Sequence, residues 1–285
     1  MECETLRDWW RLARAEHALM VFFAIIVSEI IVLKGSFSLD SSLFFPALGP
    51  ILITLASFII NDYFDYPTDK ANKRVDRPLV SGGIKRQDAL VASILLFFFG
   101  ILSSFFVNAY CFLLAFSYAF LSVIYTPVLK RIPAAGNAFV ATTYPISFLY
   151  GNFAESNTVL LLVTIFSITA FFAGLGREFL NTLRDVRGDR KSGISTLPMI
   201  IGAKRTVLFS SVAFGLAVFA SWLPIVFPFK LNLFFILVMA VADTFFLMVV
   251  FKSMRDHSLK TLRECRNLSL LGMVVGLLAF ASLAF

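Results

Sequence analysis

The sequence predicts an all-α fold: a polytopic membrane bundle of nine transmembrane helices with its N-terminus in the cytoplasm. Three observations carry this. The 285 residues are 59% hydrophobic and only 15% charged, with 34 Phe and a mean hydropathy of +0.84, too little charge for a soluble domain of this length. Apolar runs recur, each close to the ~20 residues a helix needs to cross a bilayer core. They are apolar all round, without the alternation of a barrel strand. Finally, the basic residues are sorted. With nine crossings and the N-terminus inside, 23 of the 25 Lys and Arg fall on the cytoplasmic side, and Lys34 and Lys230 alone fall outside, the asymmetry that sets membrane orientation.

The elements follow in chain order. Trp9 and Trp10 beside Arg7, Arg11 and Arg14 read as an interfacial helix, with no small-residue cleavage site of a removable leader. The spans are placed at 17–34, 43–61, 88–107, 109–126, 138–152, 158–177, 206–227, 231–251 and 267–285, the fifth being short. Together they form a single transmembrane domain over residues 1–285. Glu29, toward the outer end of its span, is expected to snorkel; Asp243, near mid-span, is expected to pair inside the bundle. His17 and His257 read as interfacial. The segment Lys252 to Asn267 reads as a basic surface helix or loop. Cys3, Cys111 and Cys265 are scattered and suggest neither a disulfide framework nor a zinc site. The net charge of +7 is read as an anchor to anionic membrane lipids; no nucleic-acid module is present in the sequence.

Two acidic stretches stand out. NDYFDYPTD (Asn61 to Asp69) ends the second span, and NTLRDVRGD (Asn181 to Asp189) ends the sixth. Both contain Asn-x3-Asp-x3-Asp, at an offset of 120 residues and four spans apart. An even number of spans leaves both copies facing the same side, which fits an internal duplication of a four-helix unit. Spacing of four places side chains on one helix face, where carboxylates repel unless a cation lies between them. Oxygen donors without His or Cys favour a hard ion such as Mg²⁺, which commonly binds through one or two carboxylates plus phosphate oxygens. Lys70, Lys73, Arg74 and Arg77 follow the first motif; Arg177, Arg184, Arg187, Arg190 and Lys191 surround the second. Carboxylates mixed with so many cations point to a metal plus a polyanion, most simply a diphosphate. Solvated loop charge is the plain alternative, and two matched copies weigh against it.

At these residues the chain resembles the UbiA superfamily of intramembrane prenyltransferases. NDYFDYPTD fits that family's first motif, NDxxDxxxD, at every position. DRPLVSGGI (Asp76 to Ile84) resembles its RP-x-x-SG segment, YTPVLKRIPAAGN (Tyr125 to Asn137) its Tyr-Lys loop, and REFLNTLRDVRGDRKSGISTLP (Arg177 to Pro198) its second motif. One departure stands in the second motif. The family's opening Asp, three or four residues before the pair, is Thr182 or Asn181 here, which leaves Asp185 and Asp189, with Glu178 or Asn181 as substitutes, and leaves the metal count open. DVRGDRKSGISTLP is most similar to the branch that includes archaeal digeranylgeranylglyceryl phosphate synthase and chlorophyll synthase.

The resemblance implies Mg²⁺-dependent transfer of a geranylgeranyl or other polyprenyl group from its diphosphate. The lipid acceptor would be the hydroxyl of geranylgeranylglyceryl phosphate, or alternatively an aromatic ring of hydroxybenzoate, naphthoate or chlorin type. Asn61, Asp62, Asp65, Asp69, Asp185 and Asp189 would hold the metal, with Asp65 and Asp185 central to catalysis. Lys73, Arg77, Lys130 and Arg177 would contact the donor diphosphate or the acceptor phosphate. Tyr125 and Tyr144 would face the allylic cation. The active site of this cell-membrane protein would open to the cytoplasm, where an isoprenoid headgroup meets water. A secondary transporter is the alternative outside enzymes; its substrate groups belong near the midplane, whereas these acids cluster at one surface.

Overall fold

The computed structural model describes residues 2–191, 193–227, 229 and 231–285. Lys230, and the side chains of Cys3, Arg187 and Lys191, all used in the sequence reading, lie outside the described residues. Regular structure in the described residues is helical throughout. It comprises α1 (Glu2–Ala13), α2 (Ala15–Val32), α3 (Ser41–Ala71), α4 (Pro78–Ser81), α5 (Arg86–Val107), α6 (Ala109–Tyr125), α7 (Ala135–Glu155), α8 (Leu161–Lys191), α9 (Leu197–Ile201), α10 (Ala203–Ser221), α11 (Leu233–Arg255) and α12 (Leu259–Ala281).

Each of the nine apolar runs falls on a helix. Seven of these helices, α2, α3, α5, α8, α10, α11 and α12, are long and apolar enough to cross a membrane. Of the other two, α6 has 17 residues, and α7, with 21, carries Asn137, Thr142, Thr143, Tyr144 and Asn152, which lower its hydropathy.

Two helices are far longer than a crossing requires. Helices α3 and α8 each have 31 residues, about 46 Å at 1.5 Å per residue against a hydrocarbon core of about 30 Å. Their last turns therefore continue past the apolar stretch as helix, and both acidic motifs lie on those turns. The spacing of four thus does place Asn61, Asp65 and Asp69 on one helical face, and likewise Asn181, Asp185 and Asp189. The two helices start and end 120 residues apart, the offset of their motifs. Each is followed by a short helix, α4 or α9, with proline in its first turn, that stops at a glycine of positive φ, Gly82 (φ 84°) or Gly202 (φ 83°). The motif, the turn and the glycine recur together, as expected of a duplicated unit.

Contacts group the chain into two compact units, Met1–Ile26 with Ser38–Leu129, and Val27–Phe37 with Lys130–Phe285. In the first, α3 starts at an N-cap where Asp40 accepts from the Ser42 amide at 2.9 Å. Pro46 and Pro50 remove two amide donors from this helix. Thr54 and Ser57 donate back to the carbonyls of Pro50 (2.8 Å) and Ile53 (2.6 Å), so their hydroxyls are satisfied within the helix. Helix α5 crosses α3 at Gly49 and Gly100. A Cβ on Gly100 would lie 2.8 Å from Ile53 Cγ1 and 3.0 Å from the Gly49 carbonyl, and one on Gly49 would strike Ser104 Oγ. Where the solvent is as apolar as leucine, such small-residue contact holds helices together. Asn108 alone joins α5 to α6 and caps the latter by accepting from the Cys111 amide at 2.9 Å.

In the second unit, α8, α10, α11 and α12 share a core of Ala173, Leu180, Val207, Phe214, Ala217, Phe246, Val249, Leu262 and Cys265. Glycine meets an aromatic ring at three crossings: Gly176 against Phe214, Gly272 against Phe246, Gly174 against Tyr144. Asp243 is buried and accepts from Trp222 Nε1 at 2.7 Å and Ser221 Oγ at 3.1 Å, the internal pairing expected of it. Glu29 does not snorkel: it is fully buried, and neither carboxyl oxygen has a hydrogen-bond partner. The segment Lys252 to Asn267 is not a separate surface helix. It comprises the end of α11, a short connection and the start of α12, closed by a 2.8 Å Lys252–Glu264 ion pair.

Gly100→Leu is expected to destabilise the protein in detergent by roughly 1–3 kcal/mol, the usual cost of overpacking, read as a lower thermal midpoint. Gly215→Ala, where a new Cβ meets nothing within 4 Å, is expected to leave that midpoint unchanged.

Candidate active site

The first motif is built from α3 and the segments packed on its end. Leu12 of α1, Ile59 of α3, Leu79 of α4, and Ile84 and Ala89 leading into and along α5 form a buried cluster, flanked by Trp9, Ala13, Tyr66 and Leu96. This apolar seal encloses a polar group. Asp62 is 3% exposed and accepts from two guanidinium groups. Arg77 Nη1 reaches its two oxygens at 2.9 and 2.8 Å, and Arg14 Nη2 reaches Oδ1 at 3.1 Å. Arg14 is the single residue between α1 and α2, with φ 46°. Its guanidinium lies 4.7 Å from the centre of the Phe58 ring, which His17 meets edge-on at 5.0 Å. Burial pushes the Arg14 pKa down, and Asp62 opposes that shift.

The other acids of this motif are held differently. Asp69 is buried, with Arg74 and Arg77 each 3.8 Å away, ion-pair range but beyond a hydrogen bond. Asp65 is half-buried. Asn61 accepts through its side-chain oxygen from the Thr126 hydroxyl, which ties the residue after Tyr125 to the motif. Arg86 stacks on Tyr63 and Tyr66, 4.3 and 5.3 Å from the ring centres. Lys73, expected at a phosphate, sits exposed in the turn after α3 with φ 53°. The RPLVSGG residues acquire physical reasons here. Arg77 caps α4 and pairs with Asp62, Pro78 starts α4, Gly82 supplies the left-handed turn, and a side chain on Gly83 would collide with Asp8 of α1.

The second motif lies on α8. Asp185 is exposed and paired by its neighbour Arg184 at 2.9 and 2.6 Å; Asp189, one turn further, is half-buried. The departure at Asn181 and Thr182 has a structural reading. Asn181 Nδ2 donates to Glu178 Oε1 at 2.9 Å. Thr182 Oγ1 donates to the Glu178 carbonyl at 2.8 Å and accepts from Asn137 Nδ2. Thr182 is thus occupied in fastening α7 to α8. Arg177 has partners other than a phosphate: it is buried, and its Nη1 donates to the Arg266 carbonyl at 2.7 Å and to Ser269 Oγ at 3.2 Å, both on α12. Tyr144 lays its ring on Gly174. Lys130 sits half-buried in a short 3₁₀ turn.

Arg14 stands out in the sequence only as one of several interfacial cations, and Thr126 and Asn137 only as members of the Tyr125 to Asn137 stretch; their bonds to the motif helices emerge from the fold. Among the described residues, no three His, Cys, Asp or Glu side chains gather into a metal cage. Each motif instead offers a few hard oxygen donors among guanidinium groups.

Comparison with known proteins gives a consistent result. The sequence pattern of the UbiA prenyltransferase family matches residues 20–283. A digeranylgeranylglyceryl phosphate synthase of Archaeoglobus fulgidus is 30% identical over 282 residues, covering 98% of this chain and 96% of that protein. A solved structure described as concerning digeranylgeranylglyceryl phosphate synthase in membranes superposes with a TM-score of 0.80 at 25% identity, covering 100% of this chain and 99% of the other. A UbiA homolog from Archaeoglobus fulgidus, solved with DMAPP and Mg²⁺, shares the fold with a TM-score of 0.68 at 17% identity, covering 96% and 99%.

Arg177→Gln is expected to loosen the start of α12. Hydrogen exchange over Leu262 to Leu270 should quicken by about tenfold or more, the scale of a lost hydrogen bond to a charged group, and Arg177→Lys should restore part of the protection.

Proposed function

The chain belongs to the UbiA prenyltransferase family, and from that premise we propose that it transfers a geranylgeranyl group from its diphosphate to the hydroxyl of geranylgeranylglyceryl phosphate, forming a second ether bond on a phospholipid precursor. One observation carries this reading: two helices of equal length extend matched acidic motifs past their apolar stretches, in a chain that aligns over nearly its whole length with a synthase of that name. The setting is a multi-pass membrane protein. We place it in the cell membrane with nine crossings and with both motifs on the cytoplasmic side, where 23 of the 25 basic residues are assigned.

The donor chemistry fits Mg²⁺. The candidate ligands are carboxylate and amide oxygens, the hard donors this ion takes, with water and phosphate oxygens completing its shell. Asn61, Asp62, Asp65 and Asp69 on α3, and Asp185 and Asp189 on α8, are the residues assigned to Mg²⁺. When bound, Mg²⁺ neutralises charge on the departing diphosphate. Lys73, Arg77 and Lys130 supply further positive charge toward phosphate groups, acting where negative charge grows as the allylic C–O bond breaks. The Phe-rich helices hold the isoprenoid tail and keep water from the allylic cation, while Tyr125 and Tyr144 offer ring faces to it. The acceptor hydroxyl then attacks carbon and releases its proton.

The test is a reconstituted assay with geranylgeranyl diphosphate, Mg²⁺ and a panel of glycerol-phosphate and aromatic acceptors, read by mass spectrometry. Product is expected with geranylgeranylglyceryl phosphate; product with aromatic acceptors alone would overturn the acceptor assignment. Asp65→Ala and Asp185→Ala are each expected to lower turnover by about a hundredfold or more while membrane insertion is retained. EDTA should stop the reaction and added Mg²⁺ restore it.

A further inference from the structure

Asp62 belongs to the first motif by sequence, yet its surroundings differ from those of the motif's other acids. Asn61, Asp65 and Asp69 repeat every four residues; Asp62 stands outside that spacing. Its carboxylate is nearly fully buried, and three guanidinium N–H contacts at 2.8 to 3.1 Å occupy it. A carboxylate offers about four lone-pair directions, and these contacts take three of them. A metal cation would find at most one, on a buried group flanked by two guanidinium charges that repel it, and taking an arginine's place would leave that guanidinium partly buried without its counter-charge, which is strongly unfavourable.

The two arginines come from different places. Arg77 opens the RPLVSGG segment. Arg14 is the hinge between α1 and α2, in the left-handed region that non-glycine residues rarely adopt. Its side chain is held on one side by Asp62 and on the other by the face of Phe58, one turn earlier on α3. Asp8 of α1 fills the space beside Gly83, and Leu12 is buried against Leu79 and Ile84. One carboxylate therefore anchors α1, α3 and α4 together.

We infer that Asp62 is not a metal ligand but the counter-ion that fixes Arg14 and Arg77, so that Asp62 and Arg14 act as positioning residues that fasten the N-terminal helix and the RPLVSGG turn over the first motif. Two guanidinium groups on one carboxylate leave one net positive charge beside Asp65 and Asp69, which suits a diphosphate more than a bare cation. This rests on the reading of the first motif as a Mg²⁺–diphosphate site, and the test separates the two.

Metal affinity is measured directly by titrating Mn²⁺ into detergent-purified protein with a non-hydrolysable prenyl diphosphate analogue, followed by electron paramagnetic resonance. Donor KM and the Mg²⁺ dependence of turnover are measured alongside, for wild type, Asp62→Asn and Asp65→Asn. Asp65→Asn should weaken Mn²⁺ binding by about tenfold or more. Asp62→Asn should leave Mn²⁺ affinity within about twofold of wild type while raising donor KM by about tenfold. Equal weakening of Mn²⁺ binding by both variants would make Asp62 a ligand and overturn the inference. If Asp65→Asn leaves Mn²⁺ binding unchanged, the functional reading fails instead. A second measurement needs no ligand: in Arg14→Gln, hydrogen exchange over residues 6–16 should accelerate by about tenfold, with the end of α3 unchanged. Wild-type protection of α1 in that variant would also overturn the proposal.

Discussion

A charge in hydrocarbon must be neutralised, paired or carried out to water, and this constraint arranges the whole chain. The apolar runs form helices because a backbone in lipid can satisfy its polar groups only internally. The charge that function needs is then placed by length. Helices α3 and α8 run well beyond a bilayer core before they stop, so the aspartates of both motifs ride on helix that has left the oil. A loop could hold the same residues, but only continuous helix keeps carboxylates at regular spacing of four on one face.

Where charge stays buried, it is answered by a partner of matching geometry. Asp62 meets Arg14 and Arg77; Asp243 meets Trp222 and Ser221; Arg177 meets a carbonyl and a hydroxyl of α12. Each of these ties joins separate helices, so each polar pair also serves as a fastening in a medium where apolar contact alone discriminates poorly between neighbours. Glu29 is the exception, fully buried with no hydrogen-bond partner on either oxygen.

The two acidic motifs repeat in length, spacing and following turn, but their neighbours have diverged. After α3 the arginine of the turn bonds back to the motif, whereas on α8 the arginine that precedes the motif bonds forward to α12. At Asn181 and Thr182, one of which stands where the resemblance expects a carboxylate, the Thr182 hydroxyl instead joins α7 to α8 through Asn137. The substitution exchanges a charge for a helix contact, and Asn181 orients Glu178 next to it.

The helical class, the places of the helices and both motifs were legible in the sequence, because hydropathy and spacing of four are local properties of a chain in a membrane. The resemblance of NDYFDYPTD and DRPLVSGGI was legible for the same reason. Tertiary structure alone decided which members of a motif are buried against cations and how deeply. Asp62 and Asp65 look alike as letters, and only packing of α1 and α4 against α3 buries one between two arginines and leaves the other half-exposed. The same holds for Arg177, whose partners on α12 lie 89 and 92 positions further along the chain. Burial and pairing depend on residues far away in the chain, such as Arg14, 48 positions from the carboxylate it holds, and no local pattern encodes them.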